Sequence, residues 1–217
     1  MTESTDHNKI IRKAAREILS PMGLIQKGQS RTWIDDNGWY FTVVGFQPSG
    51  FGKGSYLNVG IHFLWTTHDY LSYDIGGRKN GFVEFNGDES QFYSDMLSLV
   101  EKSSVLVHQY RLFNSQDYAK EYILNNRIAL SASWDLYHKM MFCGLTKDRR
   151  AITYFQELMS CTAVSSTPYE MEIHRELTDH MLELIEDADC LYEYVQTKIV
   201  QTRAFWRSKS SMRKLKE

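Results

Sequence analysis

Cysteine is scarce in this chain and its placement is scattered. Cys143, Cys161 and Cys190 are the whole set in 217 residues. They are odd in number and form neither a CxxC pair nor a zinc-ribbon spacing. That excludes a disulfide-framed scaffold and reads as reduced thiols of a cytoplasmic protein. A long apolar run is also missing: no window reaches the roughly 18 residues that a membrane-spanning helix needs, so no membrane partner is expected. The opening Met1-Thr2-Glu3-Ser4-Thr5-Asp6 lacks the apolar core of a signal peptide. Neither sign of charge dominates, because 25 Lys and Arg stand against 27 Asp and Glu for a net charge of −2. The whole chain therefore has no pull toward nucleic acid or an anionic surface, and any such role needs a local patch.

What is present suits a packed core. Hydrophobic residues make up 42% and charged residues 24%, in the range of globular domains. The length is enough for one large domain or two small ones. Three prolines punctuate the chain. Pro21 stops an amphipathic helix that begins near Thr5 or Asp6, Pro48 ends a strand, and Pro168 opens a helix.

The clearest local signal is a β-hairpin. Aromatic and β-branched residues flank Asn37-Gly38, the sequence expected of a two-residue type I′ turn with φ > 0 at both positions. Leu24 to Gln26 reads as a short strand entering it. A third strand follows the glycine-rich segment 50–54. It alternates Leu57, Val59, Ile61, Phe63 and Trp65 against Tyr56, Asn58, Gly60, His62 and Leu64, which predicts one buried and one more polar face. Residues 66–80 read as a long loop and 81–85 as a short strand. Past Asp88 the period lengthens to that of helices.

These segments carry a resemblance. The first helix, Pro21-Met22-Gly23-Leu24-Ile25-Gln26-Lys27-Gly28, Arg31-Thr32-Trp33, a strand closing on Gln47, and Tyr56-Leu57-Asn58-Val59-Gly60-Ile61-His62 are similar to a bacterial family catalogued as domain of unknown function 4304. The resemblance covers roughly residues 8–110, about half the chain, and its motifs bear on fold alone. It implies an α+β sheet fold and a bacterial cytosolic setting, and no activity.

The expected fold is therefore α+β: an N-terminal helix on an antiparallel sheet of about four strands over residues 1–112, then a helical region over 113–217. Thr167-Pro168-Tyr169-Glu170 starts a last helix whose apolar stripe, Ile173 through Leu191, Val195 and Ile199, has no Gly or Pro before about Arg207. Unbroken, that helix is about 60 Å long at 1.5 Å per residue. It would overhang a compact domain and leave Leu191, Val195, Ile199 and Trp206 for a homodimer contact. The alternative is a kink near residues 187–189 that folds the helix back.

Four patterns bear on chemistry. His62, His68, Asp69 and Asp74 gather near the third strand and offer metal or general-base groups, against an ordinary polar loop. His174, Glu176, Asp179, His180 and Glu183 crowd one helix, but without HExxH they read as a solvated face. Gly50-Phe51-Gly52-Lys53-Gly54 lacks a phosphate-loop pattern and reads as a hairpin loop. Trp33, Trp39 and Trp65 offer stacking surfaces for bases, against plain core packing. No cofactor fingerprint is present. The last segment is polar in charge: net −8 over residues 170–193 and net +5 over 203–217, an order that matches the helix macrodipole. The basic end, Arg203, Trp206, Arg207, Arg213 and Lys214, is denser than a helix end requires and is the candidate binding surface. The leading expectation is a non-enzymatic module that binds another protein, with an immunity-like or defence-associated role. The alternatives are an enzyme using the 66–80 loop and a nucleic-acid binder using the basic tail.

Overall fold

The structure is a computed structural model and describes residues 7–163, 165 and 167–209. Helix α1 (His7–Leu19) buries Ile11, Ala14, Ala15 and Leu19 on one face. It ends in a Schellman arrangement: Leu24 N–H donates to Leu19 O at 3.1 Å and Gly23 N–H to Ser20 O at 3.0 Å, with Gly23 at φ 91°. Glycine suits that left-handed position because it has no Cβ.

Five strands follow as an antiparallel meander in the order β1-β2-β3-β4-β5. They are β1 (Ile25–Gln26), β2 (Thr32–Asp36), β3 (Tyr40–Gln47), β4 (Gly54–Phe63) and β5 (Ile75–Glu84). The hairpin forms where expected, with a different turn. Asn37 N–H donates to Tyr40 O at 3.0 Å, so Gly38 and Trp39 are the central pair. Gly38 has φ 89°, and Asn37 is not among the residues with positive φ. Glycine alone at the first central position is the pattern of type II′, and it corrects the type I′ expectation. Asn37 is drawn out of the turn by its side chain, which donates to Asp35 O at 3.1 Å and to Thr42 Oγ1 at 3.3 Å.

Strand β4 has no polar open face. Nine of its ten residues are buried, because the sheet is covered on both sides within the same unit. One face packs on α1 and α2 (Glu89–Arg111), with Trp33, Val44, Phe46, Leu57 and Val59 in a shared core. The other face is filled by Tyr73 and by Trp206. Tyr73 lies in a groove left by two glycines: a Cβ on Gly45 would sit 2.4 Å from Tyr73 Oη, and one on Gly60 would sit 3.0 Å from Tyr73 Cδ1. Trp33 and Trp65 are core residues, at 1% and 0% exposure, and offer no stacking surface, whereas Trp39 is half-buried with its ring stacked on Phe63 at 5.7 Å.

The expected 66–80 loop is shorter than the sequence suggested. Ile75 already belongs to β5, which pairs with β4 through Ile61↔Ile75 and Gly60↔Gly76. Gly76, at φ 97°, permits a close approach to β4 that any Cβ would block at 2.6 Å from Val59 O.

The chain divides into two compact units. The first holds residues up to 64, 68–112 and the segment from Arg203 onward; the second holds Trp65–Thr67 and Phe113–Thr202. The C-terminal segment thus belongs with the sheet and not with the helical region. In the second unit are α3 (Gln116–Asn125), α4 (Ala132–Leu145), α5 (Arg150–Thr162), α6 (Pro168–Glu176) and α7 (Ala188–Ser208) as far as Thr202. Gly144 lies inside the last turn of α4. A Cβ there would meet Leu191 Cγ at 2.8 Å and Val195 Cγ2 at 3.0 Å, so glycine lets α4 and α7 pack closely.

The long last helix is interrupted. After α6 comes a π-helical turn, Leu177–Met181, and α7 starts afresh at Ala188. Asp187 makes the new start: its carboxylate accepts from Asp189 N at 2.8 Å and Cys190 N at 3.1 Å, as a helix cap does. The expected overhang is therefore absent. Leu191, Val195 and Ile199 are 2%, 0% and 4% exposed within a single chain, so the stripe offered for a homodimer contact is already covered.

Candidate functional site

The sequence singled out His62, His68, Asp69 and Asp74. Register places His62 on the β4 face shared with Phe41 and Gly60, beneath the loop that leads into β5. The loop brings up a group the sequence gave no reason to notice. Ser72 Oγ lies 2.6 Å from His62 Nδ1, and Ser72 N–H donates to the same nitrogen at 3.3 Å. Asp74 accepts from Phe63 N–H at 2.7 Å and stands 3.9 Å from Nδ1. Because a backbone N–H donates to Nδ1, that atom is an acceptor and the ring proton sits on Nε2. Nε2 has neither a hydrogen-bond partner nor contact with solvent. Among the described residues, Asp69 joins no part of this cluster, and His68 stacks on Tyr70 with ring centroids 4.8 Å apart. Among them, too, no three His, Cys, Asp or Glu side chains are grouped to hold a metal ion.

Burial sets the electrostatics. His62 is wholly enclosed, and desolvation, helped by His68, lowers its pKa to about 3. Desolvation also raises Asp74 to about 6, against the pull of its hydrogen bonds to Phe63 and Ser72. A serine–histidine contact exists, but the rest of the nucleophile machinery is laid out wrongly. In an activated serine a carboxylate holds the far nitrogen of the imidazole. Here serine and carboxylate crowd one nitrogen and the far one has no partner. A base with so low a pKa accepts little proton density near neutrality.

The second candidate is the basic end of α7. Trp206 is fully buried and packs edge-on against His62, with centroids 6.3 Å apart. Arg203 is committed to Asp36 at 2.8 Å, and that carboxylate is only 3% exposed. Neither residue is a free contact surface, which corrects two of the expected binding positions. Arg213 and Lys214 lie outside the described residues. Arg207 differs: its Nε and Nη2 are closed off from solvent without an acceptor. Two lysines meet over Trp206. Lys27, from the β1–β2 loop, and Lys209 each place Nζ 4.9 Å from its ring. Lys27 titrates below its ordinary value, through burial and then repulsion from Lys209. Lys27 was not a sequence candidate, and no local pattern ties it to a residue so distant in the chain.

In the second unit the expected solvated face is partly engaged. Glu176 accepts from Tyr194 Oη at 2.6 Å and pairs with Lys198 at 2.7 Å. His174 Nδ1 contacts Thr162 Oγ1 at 2.9 Å. Cys143 is buried and its thiol is pushed up to about 12, while Cys161 and Cys190 are free and less enclosed. Tyr118 and Tyr122 of α3 are 39% and 37% exposed. Both rings set their edges against Phe113, at 5.4 and 5.1 Å.

Charge separates by unit. The described residues of the first unit hold 14 Lys and Arg against 10 Asp and Glu, net +4; those of the second hold 8 against 14, net −6. The near-neutral total hides both. No helix among the described residues is long and apolar enough to cross a membrane. Compared with known proteins, the chain matches no family model, no curated protein and no solved structure.

Proposed function

We propose that the protein is a non-enzymatic module that binds another protein, in a bacterial setting of the immunity-like or defence-associated kind. The observation that carries this reading is the state of His62. The one histidine with a serine and an aspartate beside it is enclosed, held neutral, and lacks a carboxylate on its far nitrogen. What supports a protein partner is the aromatic pair Tyr118 and Tyr122, presented from α3 on a Phe113 base. Exposed tyrosines held rigid are typical of protein contact surfaces.

The reading is tested by labelling the purified chain with a fluorophosphonate, which reports activated serines. No label on Ser72 is expected. Label on Ser72 that His62→Ala abolishes would establish the enzyme alternative instead. The partner is sought by crosslinking in cells and rebuilt from purified components. Its affinity should fall at least tenfold with Tyr118→Glu and Tyr122→Glu, and an unchanged affinity would remove α3 from the interface.

A further inference from the structure

The cations around Trp206 have a use that the docking reading does not supply. Lys27 and Lys209 hold two ammonium groups against one indole. Among the described residues no carboxylate pairs with Lys27, Arg207 or Lys209, whereas the neighbouring Arg203 has Asp36. Lys209 makes one bond, to Asp69 O at 3.3 Å, which leaves its charge uncompensated. The basic character continues away from Trp206. Arg16 donates to Gln26 Oε1 at 3.2 Å and Arg12 to Gln29 O at 3.3 Å, so two α1 arginines flank the loop that carries Lys27. Beside the cations stands an exposed ring. Phe205 is 39% exposed, with Lys209 Nζ 4.3 Å from its centroid.

Favourable placement at a helix C-terminus accounts for cations in the last turn of α7. It does not account for Lys27, which comes from a different element. A single phosphate or an acidic side chain would satisfy one pair of cations. Cations on both sides of the β1 edge, Arg12 and Arg16 from α1 and the Lys27–Lys209 pair over Trp206, suit a ligand with charge repeated along it. An open aromatic ring at the same place suits a ligand with flat bases.

We propose that this edge of the first unit binds single-stranded nucleic acid, with Lys27 and Lys209 on neighbouring phosphates and Phe205 stacked on a base. The proposal does not rest on the protein-docking reading, and either stands without the other. Duplex is disfavoured because its bases are not free to reach Phe205. Sequence preference is absent, because none of these side chains reads a base edge.

The test is fluorescence anisotropy of the full chain with labelled oligothymidylate and oligouridylate of about 15 nucleotides, a length that covers a typical single-strand site. Two neutralised phosphates give a slope of about −1.4 in log affinity against log salt. The variant Lys27→Gln with Lys209→Gln should bind at least tenfold more weakly and lower the magnitude of that slope to below about 1. Phe205→Ala should weaken binding about fivefold or more with the slope unchanged, as loss of one stacked base does. Thermal melting of each variant confirms its fold, and Lys27→Arg should restore binding. Absence of binding by the unaltered chain at low salt would overturn the proposal. So would binding that the double variant leaves intact, or equal competition by polyglutamate, which would assign the site to an acidic protein.

Discussion

Asp36 and Arg203 meet across 167 positions of chain, with Arg203 Nη2 donating to Asp36 Oδ2 at 2.8 Å. One comes from the end of β2 and the other from the last two turns of α7. The contact makes the C-terminal segment part of the sheet unit, where it covers the face that alternation alone would leave to solvent. Asp36→Ala removes the carboxylate of an enclosed pair and should cost about 3 kcal/mol, the scale for breaking one. Urea unfolding followed by tryptophan fluorescence measures it. An unchanged midpoint would mean that the segment is not docked.

Leu191 and Val195 provide a second check. Both are buried against α4 at Gly144. Changing them to Glu should unfold the second unit, since each change puts a charge into an apolar contact. Gly144→Val acts on the same seam from the other side and should cost about 1–3 kcal/mol by overpacking. A folded, soluble Leu191→Glu, Val195→Glu protein with native circular dichroism would show that the stripe is exposed after all.

Parts of this architecture were legible in the sequence for physical reasons. Gly23 after a helix, Asn37-Gly38 between aromatic runs, and Thr167-Pro168 are local signals whose meaning does not depend on distant residues. Strand β5 was only half seen. Gly76, Gly77, Arg78, Lys79 and Asn80 look like a loop, because Gly76 is there for close approach to β4, Gly77 for its φ of 129°, and the rest lie on an exposed edge. The restart at Asp187 was visible as an acidic cluster, but its capping role needs backbone geometry. His62 and Asp74 were legible as neighbours of the third strand, but Ser72 beside them and Lys27 beside Trp206 were out of reach. Ser72 reaches His62 by the path of a loop, and Lys27 reaches Trp206 only once the last turn of α7 is laid on the sheet.

The turn itself gives a third test. Gly38 adopts φ 89°, a conformation that costs a β-branched residue on the order of 1–2 kcal/mol. Gly38→Val should lower the melting temperature by several degrees. Asn37→Ala, by contrast, should cost about 1 kcal/mol, since Asn37 lends side-chain hydrogen bonds and not a left-handed backbone. An unchanged melting temperature for Gly38→Val would contradict a positive φ at the first turn position.

The pH dependence of stability follows from two groups of opposite sign. His62 falls from 6.5 to about 3 on folding. The folded state therefore binds fewer protons, and stability is lost as pH drops from 6.5 toward 3. Asp74 rises from 3.8 to about 6, so its contribution is lost as pH rises from 3.8 to 6. The two offset each other between about pH 4 and 6, and the drop below pH 4 belongs to His62, with a slope of up to about 1.4 kcal/mol per pH unit. Asp74→Asn should extend the acid loss upward to pH 6.5. His62→Gln should leave a protein that loses stability as pH rises from 4 to 6. Equal profiles in the two variants would contradict the assignment.

The most direct measurement of whether the His62–Ser72–Asp74 cluster is structural or catalytic is a nitrogen-15 NMR titration of the histidine side chains. With His62 enclosed and Ser72 N–H donating to its Nδ1, its ring should hold the neutral tautomer with the proton on Nε2, unchanged from pH 8 to pH 5. A His62 that gains a proton near pH 6.5 would contradict the account, because it would then be a solvent-accessible base beside Ser72.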